Sequence, residues 1–366
     1  MYRYLRQFVL VIAVLTLVGL VALWPRGGIP KLNDEGGSLP YVKATVVGAI
    51  TKACADPEED LPAKCREYRV HLRDRRSATF LVSNIDFSVP PIHNGDHLLL
   101  SYNRLAPAEF RYSFVEFDRS TPLLGLALVF VAVVVGFGRW KGVRAIAGLA
   151  VSALVVMFFL LPALLNGRNT TAAALVATSV VAFAALYIAH GVTRSTTVAL
   201  VGTLASVLLI AAIATVFTAL AHMTGLSDES FQLLRVTARA LDPRGVLIAG
   251  MVLGALGVLD DVTVTQVSAV AELREANPAM SRRDTYRAAT RIGRDHVAST
   301  VNTLVLAYAG ASLALLLFFF QEGRAVGQIL NREVVAVEIA RALVGSIGLI
   351  VAVPITTALA VSVADQ

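Results

Sequence analysis

At 366 residues, 56% hydrophobic and only 16% charged, the chain is too apolar for a soluble globular protein, in which about a quarter of residues are charged. The formal net charge of +6 does not call for a nucleic-acid partner, because basic residues in a membrane chain are first a matter of topology. Membrane lipids are the partner that this composition implies. No phosphate-binding Gly-x-x-x-x-Gly-Lys loop, nucleophile-base-acid set or metal-ligand cluster is legible, so no cofactor and no enzymatic activity are expected.

Runs of roughly the 20 apolar residues that cross a bilayer lie at about 8–24, 121–138, 144–165, 170–190, 196–221, 244–270, 297–320 and 338–362. The expected fold class is an α-helical polytopic membrane protein of about eight transmembrane helices, with a small all-β external domain inserted after the first helix. This divides the chain into a signal-anchor helix (1–25), a β-domain (39–119) and a membrane bundle of about seven helices (120–366). The first span has a basic lead and exits through Leu23, Trp24, Pro25 and Arg26, without a small-x-small cleavage site. It reads as an uncleaved anchor.

With the N-terminus inside, twelve Lys and Arg fall in cytoplasmic segments and seven in short external loops. The large external domain is excluded from that count, because long domains translocate largely regardless of charge. The bias predicts both termini cytoplasmic and residues 26–119 extracytoplasmic.

Within 39–119, β-type residues recur between turn signals. Strands are expected at 41–50, 66–72, 78–83, 96–102 and 110–117, with Asn94-Gly95-Asp96 as a tight turn. Five short strands suit a small barrel or sandwich, among them the oligonucleotide/oligosaccharide-binding type. Cys54 and Cys65 flank an acidic loop; they form a disulfide permitted by an external compartment, or stay as two thiols. Phe110, Arg111, Tyr112, Phe114 and Phe117 form either a ligand face or the filling of the barrel.

The span at 244–270 is not that of a passive anchor. Gly250, Gly254, Gly257, Asp261, Thr265, Ser268 and Glu272 fall on one helical stripe. Its glycine half has the small-xxx-small pattern that admits a neighbouring helix backbone. Its acidic half predicts a hydrated path, because an intramembrane carboxylate needs a partner or a water-filled cavity. Asp260, about 100° around the helix, faces another neighbour or shares a proton with Asp261. The next span offers Arg294, Asp295 and Asn302 as partners, and the last has Gly345 and Gly348 for close packing and Pro354 for a kink or a broken helix. Between spans, 227–241 reads as an interfacial helix with Phe231, Leu234, Ala238 and Leu241 on its apolar side, and the basic stretch 271–296 as another.

The segment Gly250-Met-Val-Leu-Gly254-Ala-Leu-Gly257-Val-Leu-Asp260-Asp261 followed by Glu272-Leu273 resembles the signature of the YibE/F-like bacterial membrane proteins. So do Ile292-Gly293-Arg294-Asp295, Asn302-Thr303-Leu304, Leu306-Ala307-Tyr308, Gly345-Ser346-Ile347-Gly348 and Pro354-Ile355-Thr356, in that order from about residue 120 to the end. The resemblance implies one N-terminal span, an external β-domain and a permease-like bundle, without a substrate. Asp260 departs from it, since an uncharged residue is expected there. Gly257-x-x-Asp260-Asp261 is also similar to the paired aspartates of the resistance-nodulation-division exporters, where such carboxylates relay protons, although helix count and length differ.

Three functions follow as expectations. The first is a transporter or transport-complex subunit in which Asp261, with Asp260, Glu272, Arg294, Asp295 and Asn302, carries an ion or proton. The second is a scaffold whose external domain recruits an envelope protein. The third, an intramembrane aspartyl protease, is set aside because two adjacent aspartates on one helix do not easily face the same water. Oligomeric state, substrate and coupling ion are not encoded legibly.

Overall fold

The computed structural model describes residues 2–27, 39–55, 62–74, 76–83, 89–227, 238, 240–323 and 325–364. They form two compact units, one of residues 33–133 and one of residues 1–32 with 134–366.

The 33–133 unit is built on five antiparallel strands: β1 (Tyr41–Ala55), β2 (Pro62–Leu72), β3 (Ser77–Ser83), β4 (His97–Tyr102) and β5 (Tyr112–Phe117), in the order β3-β2-β1-β4-β5. Period-two alternation decides which face is inside: Ala44, Val46, Val70, Leu98 and Leu100 are buried together with Phe80, on which Tyr68 stacks at 5.2 Å. β1 is long because it serves both halves of the sheet. It pairs with β4 through Tyr41–Thr45 and with β2 from Ala44 onward, and a bulge between Val46 and Gly48 bends it from one to the other. Gly95, at φ 92°, closes the turn before β4 and donates to Val46 O at 2.8 Å. The edge strands β3 and β5 approach one another, as in a sheet curling toward a barrel. All five expected strands are present.

Of the proposed ligand face, Tyr112 rests on Tyr102 at 5.1 Å, and Phe114 meets Phe117 edge-on, both packed on the apolar core. Phe110 stays exposed. Beyond β5, Lys43 Nζ stands 2.7 Å from Asp118 Oδ2, and that ammonium holds the Asp118 carboxyl well below the usual carboxylate range.

The second unit is helical. Its elements are α1 (Tyr2–Leu23), the part of α2 (Ser120–Val155) from Val134 onward, a π-helical turn (Val156–Leu160), α3 (Leu161–Leu165), α4 (Thr170–His190), α5 (Arg194–Leu220), α6 (Pro243–Ala276), α7 (Arg282–Ala311), α8 (Leu313–Gln321), α9 (Val326–Leu330) and α10 (Glu333–Ala364). Among the described residues, six helices are long and apolar enough to cross a membrane, or seven if α7 and α8, bent by 62°, count as one span.

This is fewer than the eight runs expected, because two of the runs join in one stretch and the run at 297–320 is bent between α7 and α8. The runs at 121–138 and 144–165 belong to a single 46-residue stretch. Arg139, at φ 49° and ψ −129°, breaks it, and Gly142 has no room for a Cβ beside the Val134 carbonyl. Pro354 lies inside an α10 that continues on both sides of it, so no broken half-helix forms there. The basic stretch at 271–296 is likewise no separate interfacial helix. α6 runs to Ala276, a turn follows Asn277, and Ser281 caps α7 by accepting from Asp284 N. Phe231 and Leu234 of the expected 227–241 helix lie outside the described residues; Ala238 and Leu241 are buried.

Helices α5, α6 and α10 pack mutually at the centre, with α7 against α6 and α10, and α1 and α4 on the other side. Small residues set these contacts. Gly348 of α10 faces the Ile210 side chain of α5, Gly202 of α5 faces Thr356, and a Cβ at Gly345 would meet Leu304 at 3.3 Å. Between α5 and α6, the Thr203 and Thr263 hydroxyls share a buried hydrogen bond of 2.7 Å, which satisfies two polar groups at once.

Candidate functional site

A cavity of about 700 Å³ lies within the helical unit between α2, α4 and α6. Three features create it. Gly148 brings α2 close to α4, where a Cβ would stand 3.6 Å from Ala185 Cα. Arg144, one turn earlier, donates to Ile188 O at the C-terminal end of α4 and to Tyr187 O, which also accepts from Gly191 N. Further along, the π turn widens the helix and directs Val156 and Met157 to the cavity wall.

Asp260 and Asp261 both line this cavity, together with His190 at the end of α4. Adjacent positions of α6 thus border one cavity. Their surroundings differ. Asp260 is mostly buried, and its Oδ1 has no hydrogen-bond partner among the described residues. Asp261 is 71% exposed and its Oδ2 stands 3.6 Å from His296 Nε2 of α7, an ion-pair distance beyond hydrogen-bond range. A carboxylate in such a place needs a proton, a cation or a donor.

The remaining expected site residues do not gather here. Arg294, Asp295 and Asn302 are exposed on the side of α7 away from His296, because each is displaced by between 100° and 160° around the helix. Glu272 shares the Asp261 stripe but lies about 16 Å farther along α6 and is exposed.

The glycine half of the stripe also differs from expectation. No neighbouring backbone comes within 4 Å of a Cβ at Gly250, Gly254 or Gly257; the first two face Arg341 and the Tyr308 hydroxyl, and Gly257 faces open space. The close α6–α7 contact is made instead by Gly293 on Gln266, whose amide donates to Ala289 O at 2.8 Å. Gly250 and Gly254 thus border a second polar group, in which Arg341 pairs with Glu338 at 3.2 Å and lies 5.8 Å over the Tyr308 ring.

His190 and His296 escape a sequence reading. Their signal is an ionisable side chain in or beside a spanning helix, the same signal that marks the aspartates. What hides them is the need to know which helix ends are level with Asp261. No curated protein and no solved structure matches the chain. The YibE/F-like protein family profile matches residues 126–366, more than half the chain and the whole of α4 to α10. With that match the resemblance becomes an assignment, and this membrane protein belongs to the YibE/F-like family.

Proposed function

We propose that the protein is a transporter or transport-complex subunit of the bacterial inner membrane, in which Asp260 and Asp261 carry a proton or cation through the helical bundle. The observation behind this reading is that both carboxylates border one cavity of about 700 Å³ in place of a sealed helix contact. A purely anchoring bundle gains nothing from two such groups, each of which costs at least about 2.5 kcal/mol at mid-membrane. On this reading His190 and His296 take the place of Arg294, Asp295 and Asn302 as the neighbours of the relay. Both termini are cytoplasmic, the full count of spans is eight, and residues 26–119 are extracytoplasmic.

The β unit is read as an oligonucleotide/oligosaccharide-binding-type barrel stapled by a Cys54–Cys65 disulfide. An aspartyl protease is disfavoured, because such chemistry sets two carboxylates around one water, and adjacent positions of one helix diverge by about 100°.

The test is proton flux in proteoliposomes under an imposed membrane potential. Wild-type protein should conduct or couple protons, and Asp261→Asn should reduce the flux at least about tenfold, the scale of a lost transition-state interaction near 1.4 kcal/mol. Equal flux from a folded Asp260→Asn/Asp261→Asn double variant would sink the proposal.

A further inference from the structure

The cavity is polar at one end only. Asp260, Asp261 and His190 stand together there, while Leu253, Val156, Met157 and Val181 line the other end. Ser152, between the two, has its hydroxyl donated to Gly148 O at 2.9 Å, so the middle of the wall offers no free donor. Along α6 the apolar wall from Leu253 to Asp261 is about 12 Å long. Leu149, Met157 and Ala153 at the rim are exposed on the outer surface of the bundle, which in a bilayer opens the cavity sideways to hydrocarbon.

Asp260 and Asp261 are the charged side chains in the cavity lining, and the nearby cations of α2, Lys141 and Arg144, stand close to His190 without lining it. Arg144 is the guanidinium nearest this end of α4, and it is already engaged by two carbonyls of that helix's C-terminal turn. Those carbonyls form the negative end of the α4 dipole. Asp261 has His296 at 3.6 Å, without a hydrogen bond, and Asp260 Oδ1 has no partner among the described residues. A ligand complementary to this shape has a positive group at one end and a hydrocarbon body about 10 Å long, and it arrives from the bilayer.

We propose that the cavity binds amphiphilic organic cations, with the cationic group against Asp260 and Asp261 and the hydrocarbon body along Leu253, Val156 and Met157. As a statement of cargo this rests on the transport reading above; as a statement of binding it stands on the cavity alone.

The probe pair is octyltrimethylphosphonium and octanesulfonate, amphiphiles of equal chain length and opposite head charge. Binding of each is measured by equilibrium dialysis against full-length protein in nanodiscs. The phosphonium should bind saturably and the sulfonate should not. The Asp260→Asn/Asp261→Asn double variant should weaken phosphonium binding at least tenfold, and so should Asp261→Asn alone, whose exposed side chain makes a folding defect a poor explanation. Ala153→Trp, which fills the cavity from its exposed rim, should abolish it.

Equal binding of the two ions, or phosphonium binding untouched by the aspartate variants or by Ala153→Trp, would overturn the proposal and leave the cavity to lipid chains. The two readings fail separately. Phosphonium binding that depends on the aspartates, with proton flux that does not, removes the relay and keeps the site. Flux that depends on them without any phosphonium binding does the reverse.

Discussion

Asp261 Oδ2 and His296 Nε2 face each other across the α6–α7 interface at 3.6 Å, the aspartate side chain 71% exposed and the histidine 36%. An exposed pair without a hydrogen bond adds little stability, on the order of 0–1 kcal/mol. His296→Gln should therefore leave the unfolding midpoint in detergent almost unchanged. On the transport reading it should nonetheless lower proton flux, because the imidazole beside the relay carboxylate is gone. A flux identical to wild type would separate His296 from function.

The glycines fall into two classes that substitution can tell apart. Gly348 faces Ile210, itself fully buried and unable to swing aside, and Gly293 faces Gln266 while that amide is held by Ala289 O. Gly348→Ala and Gly293→Ala should each cost about 1–3 kcal/mol through overpacking. Gly257→Ala meets open space. It should be neutral or stabilise by up to about 1 kcal/mol through helix propensity. Thermal unfolding of the three variants in one detergent checks the contrast.

Acid should act on the β unit through Asp118. The Lys43 ammonium lowers the folded pKa of this carboxyl below its unfolded value, about 3.9. Its contribution is therefore complete above the unfolded value and is lost as pH falls further, toward the folded one. Protection of β1 and β4 amides from hydrogen exchange, corrected for intrinsic rates, should be flat from neutral pH to about pH 5 and should drop below about pH 4. Asp118→Asn should lack the carboxylate-dependent part of that drop.

Cys65 is buried at 6% exposure, and the β1–β2 register sets Lys52 opposite Cys65 and Ala63 opposite Cys54, so the two cysteines are one diagonal step apart. On the disulfide reading, unreduced protein should take up no maleimide after denaturation and reduced protein should take up two. Reduction should cost at most about 3 kcal/mol, the chain-entropy value for a loop of this size. Maleimide uptake without reductant would exclude the bridge.

The β strands were readable because alternation such as Val70, Leu72 and Leu98, Leu100 specifies a buried face directly, and Gly95 marked its own turn. The aspartate pair was readable because carboxylates in a span are costly wherever they sit. The partners were not. A stripe on α6 gives the phase of one helix, whereas choosing His296 over Asn302 requires the phase of α7, and choosing His190 requires the level at which α4 ends. The glycines failed for the same reason: Gly250, Gly254 and Gly257 satisfy the pattern for close packing, but α7 meets α6 through its own Gly293.

Helix α6 is 34 residues long, about 51 Å, and α7 leaves the same end as a 30-residue helix. A hydrocarbon layer of about 30 Å covers only part of that length. The α6–α7 hairpin is thus longer than such a layer is thick, and neither helix has a joint between its turn at Asn277 and the Asp261–His296 gap. With Gly293 seated on Gln266 between the two helices, the turn and the carboxylates are joined by continuous helix, with no loop in between.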